Sequence, residues 1–176
     1  MHLFSRRELA DSAGFAFVER RAVRFQDIDA AGIVFHVRML EYFHDAYLSF
    51  LSASGSPLHE SLKQGLWAAP LRHVEADYFK PLRFGDAIDV ALVAAHVQAT
   101  EVTIGYRVKR AEGEEVIAVG QTVHVFVDAK TFRRTDIPDL LRSAFLKLGH
   151  PSQVTPGRDA SRGSASGCQL GAEVLE

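Results

Sequence analysis

Two aspartates, a glycine and a histidine stand close together in Arg24–His36, the stretch RFQDIDAAGIVFH. Val23 and Phe25 alternate with Ala22, Arg24 and Gln26, the period of two that marks a strand. That run stops at Asp27 and Asp29. Ala30, Ala31 and Gly32 follow, then an apolar run that ends at His36, then a long amphipathic segment. A carboxylate thus stands where a strand hands over to a helix through a glycine. The first N–H groups of a helix lack intrahelical partners and can bind an anion. An acid beside such amides is the minimum equipment for attacking an acyl carbonyl. Gly32 suits the place because it lets a reacting group come close to the backbone. The G-x-S-x-G nucleophile elbow is absent. Asp29 can add to the carbonyl itself, giving a mixed anhydride, or activate a water molecule. Both routes stay open.

Each of these residues also has a purely structural reading. Asp29 can serve as a helix N-cap. Asp27 can cap the turn or pair with Arg24. His36 can be a hydrogen-bonded boundary histidine, and His44 a packed one. Asp86 reads as the stabiliser of the Gly85–Asp86 turn.

The elements that must position this stretch are legible from periodicity. A first strand is expected from about Phe15 to Gln26. A long helix follows, with Leu40, Phe43, His44, Tyr47, Leu48 and Leu51 on one stripe. It stops near the breakers Ser54–Gly55–Ser56–Pro57, and a variable connection runs from Leu58 to about Gly65. A second strand spans His73–Lys80 and ends at Pro81. Asp86–Val97 alternates Ile88, Val90 and Leu92 with Ala87, Asp89 and Ala91. Val102, Ile104, Tyr106 and Val108 mark the next strand, Glu112–Glu115 a hairpin turn, and Ile117, Val119, Val123 and Val125 the last strand. Pro138 opens a short helix that ends at Gly149. The four later strands are expected as an antiparallel meander whose concave face buries the long helix, an α+β architecture. Residues 1–15 read as a lead-in, 16–149 as one domain, and 150–176 as a disordered tail without periodicity.

Composition excludes several function classes. The formal charge of −2 gives no electrostatic reason to expect nucleic acid or an anionic membrane. Arg20–Arg21 and Arg133–Arg134 are short surface clusters. The one cysteine, Cys168, allows no disulfide within the chain and fits a reducing compartment. Glu8 and Asp11 interrupt the N-terminus where a signal peptide needs an apolar stretch, and the expected location is the cytoplasm. The eight histidines lack ligand spacing, so neither a metal site nor a cofactor is expected. His73 and His124 fall on predicted strands and could face one another.

Three segments carry a resemblance: DIDAAGIVFHVRMLEYFHDAY (Asp27–Tyr47), APLRHVEADYFKPLRFGDAI (Ala69–Ile88) and VGQTVHVFVD (Val119–Asp128). Strand–D-x-D-x-x-G-I-V–helix followed by P-L-x-x-G-D resembles the 4-hydroxybenzoyl-CoA thioesterase family of the hotdog fold, from about Val18 to Phe145. The second segment is most similar to the branch that hydrolyses 1,4-dihydroxy-2-naphthoyl-CoA. The resemblance implies a long helix wrapped by a five-stranded antiparallel sheet. It implies homo-oligomers, dimers that pair their sheets and assemble into homotetramers, with the active site at the subunit interface. It places the catalytic carboxylate on Asp29, oxyanion-holding amides around Gly32, Phe35 and His36, and an assisting imidazole on His36. Phe43, Tyr47, Trp67, Tyr78 and Phe79 are candidates for lining an acyl pocket. The family's basic cluster for the CoA phosphates is missing here, where the chain reads AAHVQATEV. Arg72, Lys109, Arg110, Arg133 and Arg134 are the alternative cations. The expected function is therefore hydrolysis of an aromatic acyl-CoA. Hydrolysis of acyl-carrier-protein thioesters is a second reading. A non-hydrolytic dehydratase or acyl-binding module is a third.

Overall fold

The structure, a computed structural model, describes residues 3–13 and 16–148. A short helix, α1 (Arg6–Ala10), opens with a reciprocal capping box between Ser5 and Glu8. The first strand, β1 (Phe17–Ala22), is shorter than its alternation predicts. The Asp27 carboxylate accepts the Arg24 amide at 2.9 Å and folds Phe25–Asp27 into one 3-10 turn. A short acid that bonds nearby backbone competes with the strand ladder and here wins.

The long helix, α2 (His36–Ala53), buries Met39, Tyr42, Phe43, Ala46, Tyr47, Phe50 and Leu51. The buried stripe is thus rotated from the predicted one. Leu40 and Leu48 are half-buried, and His44 is exposed rather than packed. Two overlapping stripes are available, and the one carrying Tyr42 and Phe50 buries more aromatic surface. The expected variable connection is a second short helix, α3 (Leu58–Gln64), closed by Gly65 in the left-handed region.

The strands are β2 (Trp67–Ala68), β3 (Leu71–Tyr78), β4 (Ala87–Val97), β5 (Glu101–Arg110), β6 (Val116–Val125) and β7 (Val127–Asp128). The main sheet has the order β1-β4-β5-β6-β3 with all neighbours antiparallel. The expected four-strand meander is therefore incorrect in one place. β4, β5 and β6 form a meander, but β3 pairs with β6 at the far edge. The connection after Tyr78 crosses the sheet from β3 at one edge to β4, which lies beside the opposite edge strand β1, and on the way the Leu82 carbonyl accepts the Val34 amide at 2.9 Å. That crossing brings the end of β3 against the start of α2. β2 and β7 form a separate two-stranded ladder. A last helix, α4 (Asp139–Phe145), follows Pro138 and stacks Phe145 on Phe50 at 5.2 Å between ring centroids. Gly149, Cys168 and the tail expected from 150 lie outside the described residues.

The core lies between α2 and the concave face of the sheet. Phe43 stacks on Tyr106 at 4.7 Å and lies flat over Gly120, where an added Cβ would meet the Phe43 ring at 2.5 Å. His73 and His124 do not face one another. His73 sits opposite Val123 and bonds Glu75 at 3.1 Å, while His124 is opposite Leu71. The His124 ring is buried, stacked on Tyr47 at 4.2 Å, and bonded to the Ala69 carbonyl and the Thr122 hydroxyl.

Burial pushes the His124 pKa down to about 4. An unfolded histidine titrates near 6.5. Between those values the unfolded chain binds a proton that the folded chain does not. Stability contributed by this site is therefore full above about pH 6.5 and falls as pH drops toward 4, by about 3 kcal/mol in all. Urea unfolding at pH 7.5 and 4.5 should show this loss, and His124→Gln should lack that share of it. Equal pH dependence in the two proteins would contradict a buried neutral imidazole.

Candidate active site

The turn between β1 and α2 is built around Asp27, which is fully buried. Its carboxylate accepts from the Arg24 amide, the Arg24 guanidinium and, at 2.8 Å, the Tyr42 hydroxyl. Burial alone raises its pKa, but these donors outweigh burial and hold the carboxyl below the usual range. The Asp27 carbonyl also accepts the Phe35 amide at 2.9 Å, folding the helix start back onto the turn. Asp27 is thus committed to structure.

Asp29 is differently placed. Its amide donates to the Ile33 carbonyl at 2.9 Å, and its own carbonyl accepts the Gly32 amide at 3.0 Å. Gly32 has φ +76°, a left-handed conformation that glycine adopts without strain. One carboxylate oxygen of Asp29 accepts the Ala31 amide at 2.8 Å. The result is a tight loop, closed by the Ile28–Val34 bridge, that presents Asp29 half-buried. Asp29 does not cap α2. The N-cap of that helix is Phe35, no side chain caps it, and its first turn holds no acid. The first two amides of α2, those of His36 and Val37, have no intrahelical acceptor, whereas the Arg38 amide already donates to the Phe35 carbonyl at 2.8 Å. The positive end of an 18-residue helix is left open beside the loop.

Both features meet in a cleft of about 410 Å³. Asp29, Ile33, Val34, His36 and Met39 form one wall, and Tyr78, Phe79, Lys80, Pro81 and Leu82 the other. The Tyr78 hydroxyl donates to the His36 carbonyl at 2.8 Å and ties the walls together. Asp29 and His36 are therefore brought to one place, and Tyr78 and Phe79 join them. Phe35 is exposed, with its ring 4.5 Å from that of His36, and it does not hold the oxyanion as expected, because its amide is spent on the Asp27 carbonyl.

Other expected site residues lie elsewhere. The Gly32 amide is engaged by Asp29, and α2 begins at His36 rather than directly after Gly32, so Gly32 shapes the loop instead of offering a donor. Phe43 and Tyr47 are fully buried in the core under the sheet. Trp67 is buried against Phe126 at 5.2 Å. None of the three lines the cleft, because burying a large aromatic face against the sheet outweighs leaving it open to a ligand. Arg72 is paired with Glu101 at 2.9 Å. Lys109 is paired with Glu114, Arg110 with Asp86 and Glu115, and Arg134 donates to Thr100. The cation that does line the cleft is Lys80, 3.7 Å from Glu115. Its signal in the sequence is only its place before Pro81, where the strand ends.

A half-buried carboxylate, an uncapped helix start and a largely apolar cleft wall suit acyl transfer to water. Among the described residues no group of His, Cys, Asp and Glu could hold a metal ion, and no helix is long and apolar enough to cross a membrane. Comparisons with known proteins point the same way. Residues 23–145 match the model of the Thioesterase-like superfamily. A 1,4-dihydroxy-2-naphthoyl-CoA hydrolase of Synechocystis is 31% identical over 135 residues, 77% of this chain and 98% of that protein. The protein of the same name from Rippkaea orientalis is 35% identical over 122 residues, 69% of this chain and 88% of its own length. The crystal structure of a 1,4-dihydroxy-2-naphthoyl-CoA thioesterase from Synechocystis superposes with a TM-score of 0.71 at 31% identity, covering 78% of this chain and all of that one. A gentisyl-coenzyme A thioesterase structure superposes with a TM-score of 0.65 at 26% identity, over 73% of this chain and 98% of its own. The chain belongs to the Thioesterase-like superfamily and is a hotdog-fold thioester hydrolase.

Proposed function

We propose that this chain hydrolyses the thioester of an aromatic acyl-CoA, with 1,4-dihydroxy-2-naphthoyl-CoA as its first candidate substrate. The observation that carries the reading is the meeting of Asp29 and His36 in one cleft at the uncapped start of α2. The names of the relatives supply the acyl class. The thioester carbonyl oxygen sits against the first amides of α2 around His36, where a well-placed donor elsewhere contributes about 3–4 kcal/mol to the transition state. On the covalent route an Asp29 oxygen bonds the acyl carbon, the C–S bond breaks, and the CoA thiolate leaves. Water then cleaves the anhydride and restores the carboxylate. On the general-base route Asp29 takes a proton from water as that water attacks. The His36 imidazole lines the same cleft and serves as the proton carrier to the departing thiolate. Ile33, Val34, Met39, Phe79 and Leu82 give the acyl ring an apolar wall.

The working unit in this proposal is a homo-oligomer, a dimer or a dimer of dimers in the cytoplasm. β3 forms an edge of the main sheet with one flank unpaired, the feature that lets two sheets join. A second reading keeps the chemistry but places the acyl group on an acyl carrier protein. The absence of a basic cluster between β4 and β5 favours it.

Thiol release from a panel of acyl-CoAs and matched carrier-protein thioesters, read with a thiol dye, tests both. An aromatic acyl-CoA should turn over with kcat/KM at least about tenfold above straight-chain acyl-CoAs, a selectivity within reach of one pocket. Faster release from the carrier-protein thioester would favour the second reading. No release from any acyl class would favour a binding or dehydratase role.

A further inference from the structure

We infer that residues 3–13 form an intramolecular cover over the outer face of the main sheet, occupying the surface on which a second copy of the chain would otherwise stack. This does not depend on the acyl group that the cleft takes. The outer face is the side of the sheet away from α2. Phe4 and Leu9 are 4% and 2% exposed there, packed on Ala91, Val93, Ala94 and Val119. Beneath them Gly105 leaves the space, since a Cβ at that position would collide with the Leu9 side chain.

Polar groups fasten the segment at both ends. Gln121 on β6 is 1% exposed. Its Oε1 accepts the amides of Leu3 and Phe4 at 3.3 and 3.2 Å, and its Nε2 donates to the Phe4 carbonyl at 3.1 Å. Arg107 on β5 donates from one Nη1 to the Ala10 and Ser12 carbonyls at 3.1 and 2.8 Å. The Ser12 hydroxyl donates to the Val93 carbonyl at 3.1 Å, and Arg6 pairs with Asp77 of β3 at 2.9 Å. Gln121 is buried and Arg107 half-buried beneath the segment, and their donors and acceptors match its backbone groups, so the cover is held by these bonds together with the burial of Phe4 and Leu9. The match to the family model starts at residue 23, after the segment.

Without the cover the face presents small apolar residues, with the cation of Arg107 on β5 and the anion of Asp77 on β3 beside them. A two-fold interface brings one patch against itself, so a patch with both signs can satisfy its own copy. A second copy is therefore the occupant that the uncovered face fits.

The test compares the full chain with a chain that begins at Ala16 and with full-length Leu9→Asp, using light scattering after size exclusion and timed trypsin digestion. Cleavage after Arg6 and Arg7 should be slow in the full chain and about tenfold faster or more in Leu9→Asp, because a detached segment is open to protease. Both altered chains should show about twice the mass of the full chain at equal protein concentration. Unchanged cleavage in Leu9→Asp would overturn the latch. Faster cleavage with unchanged mass would overturn the stacking claim. Circular dichroism checks the fold, and if the shortened chain fails to fold, the mass of Leu9→Asp decides alone.

Discussion

Asp29→Asn is expected to leave the chain folded and to lower thioester turnover about a thousandfold, within the range for losing a positioned catalytic carboxylate. The substitution is close to isosteric. The loop needs one side-chain oxygen, to accept the Ala31 amide, and asparagine keeps it. The other loop bonds, from the Asp29 amide to Ile33 and from Gly32 to Asp29, are made by backbone. What asparagine cannot do is carry the negative charge that adds to a carbonyl or takes a proton from water. The readings are initial rates of thiol release and a thermal melt. A melting temperature within about 2 °C of the parent, as expected for a half-exposed isosteric change, keeps the comparison clean. Activity within tenfold of the parent would remove Asp29 from the chemistry.

Asp27→Ala is expected to do the opposite, unfolding before it inactivates. The change removes the acceptor of the fully buried Tyr42 hydroxyl and of the Arg24 amide. Each buried donor left without a partner costs about 1–3 kcal/mol. Together with the lost Arg24 pairing, a total near 3–4 kcal/mol is expected, or roughly 6–16 °C in melting temperature for a domain of this size. The damage should extend to the site, because the turn that Asp27 closes also carries the carbonyl that takes the Phe35 amide. Lost activity in Asp27→Ala should therefore return in part on cooling or with added stabilising solute, and that in Asp29→Asn should not. Equal melting temperatures for Asp27→Ala and the parent would contradict the structural assignment. The contrast between two acids in one D-x-D motif separates catalysis from scaffolding more sharply than either variant alone.

Local pattern carried most of what was legible in the sequence. The alternation of Ile88, Val90 and Leu92, or of Val102, Ile104 and Tyr106, is a property of neighbouring residues, and it located β4 and β5. The close spacing of Asp29, Gly32 and His36 located the loop and helix start in the same way. Strand pairing is non-local, and nothing in His73–Lys80 says that β3 crosses to lie beside β6. For the same reason Leu82 and Lys80 could not be placed opposite Val34 and His36 from sequence. Phe43 and Tyr47 illustrate a different limit. Aromatic residues at helical spacing have one pattern whether they pack against a sheet or line a pocket, and only the sheet's position distinguishes the two. The cover over the outer face left almost no trace, since its counterparts Gly105 and Gln121 lie far along the chain.

The central claim is that a thioester is held between Asp29 and the opening of α2. A structure of the chain with a non-cleavable aryl ketone analogue, in which a methylene separates the carbonyl from the CoA sulfur, tests it most directly. The account predicts the carbonyl-position oxygen about 3 Å from the first amides of α2, near His36, and the acyl carbon within similar reach of an Asp29 oxygen. The acyl ring should lie along Met39 and Phe79 in the cleft. An analogue bound with its sulfur remote from Asp29, or seated in another part of the molecule, would contradict it.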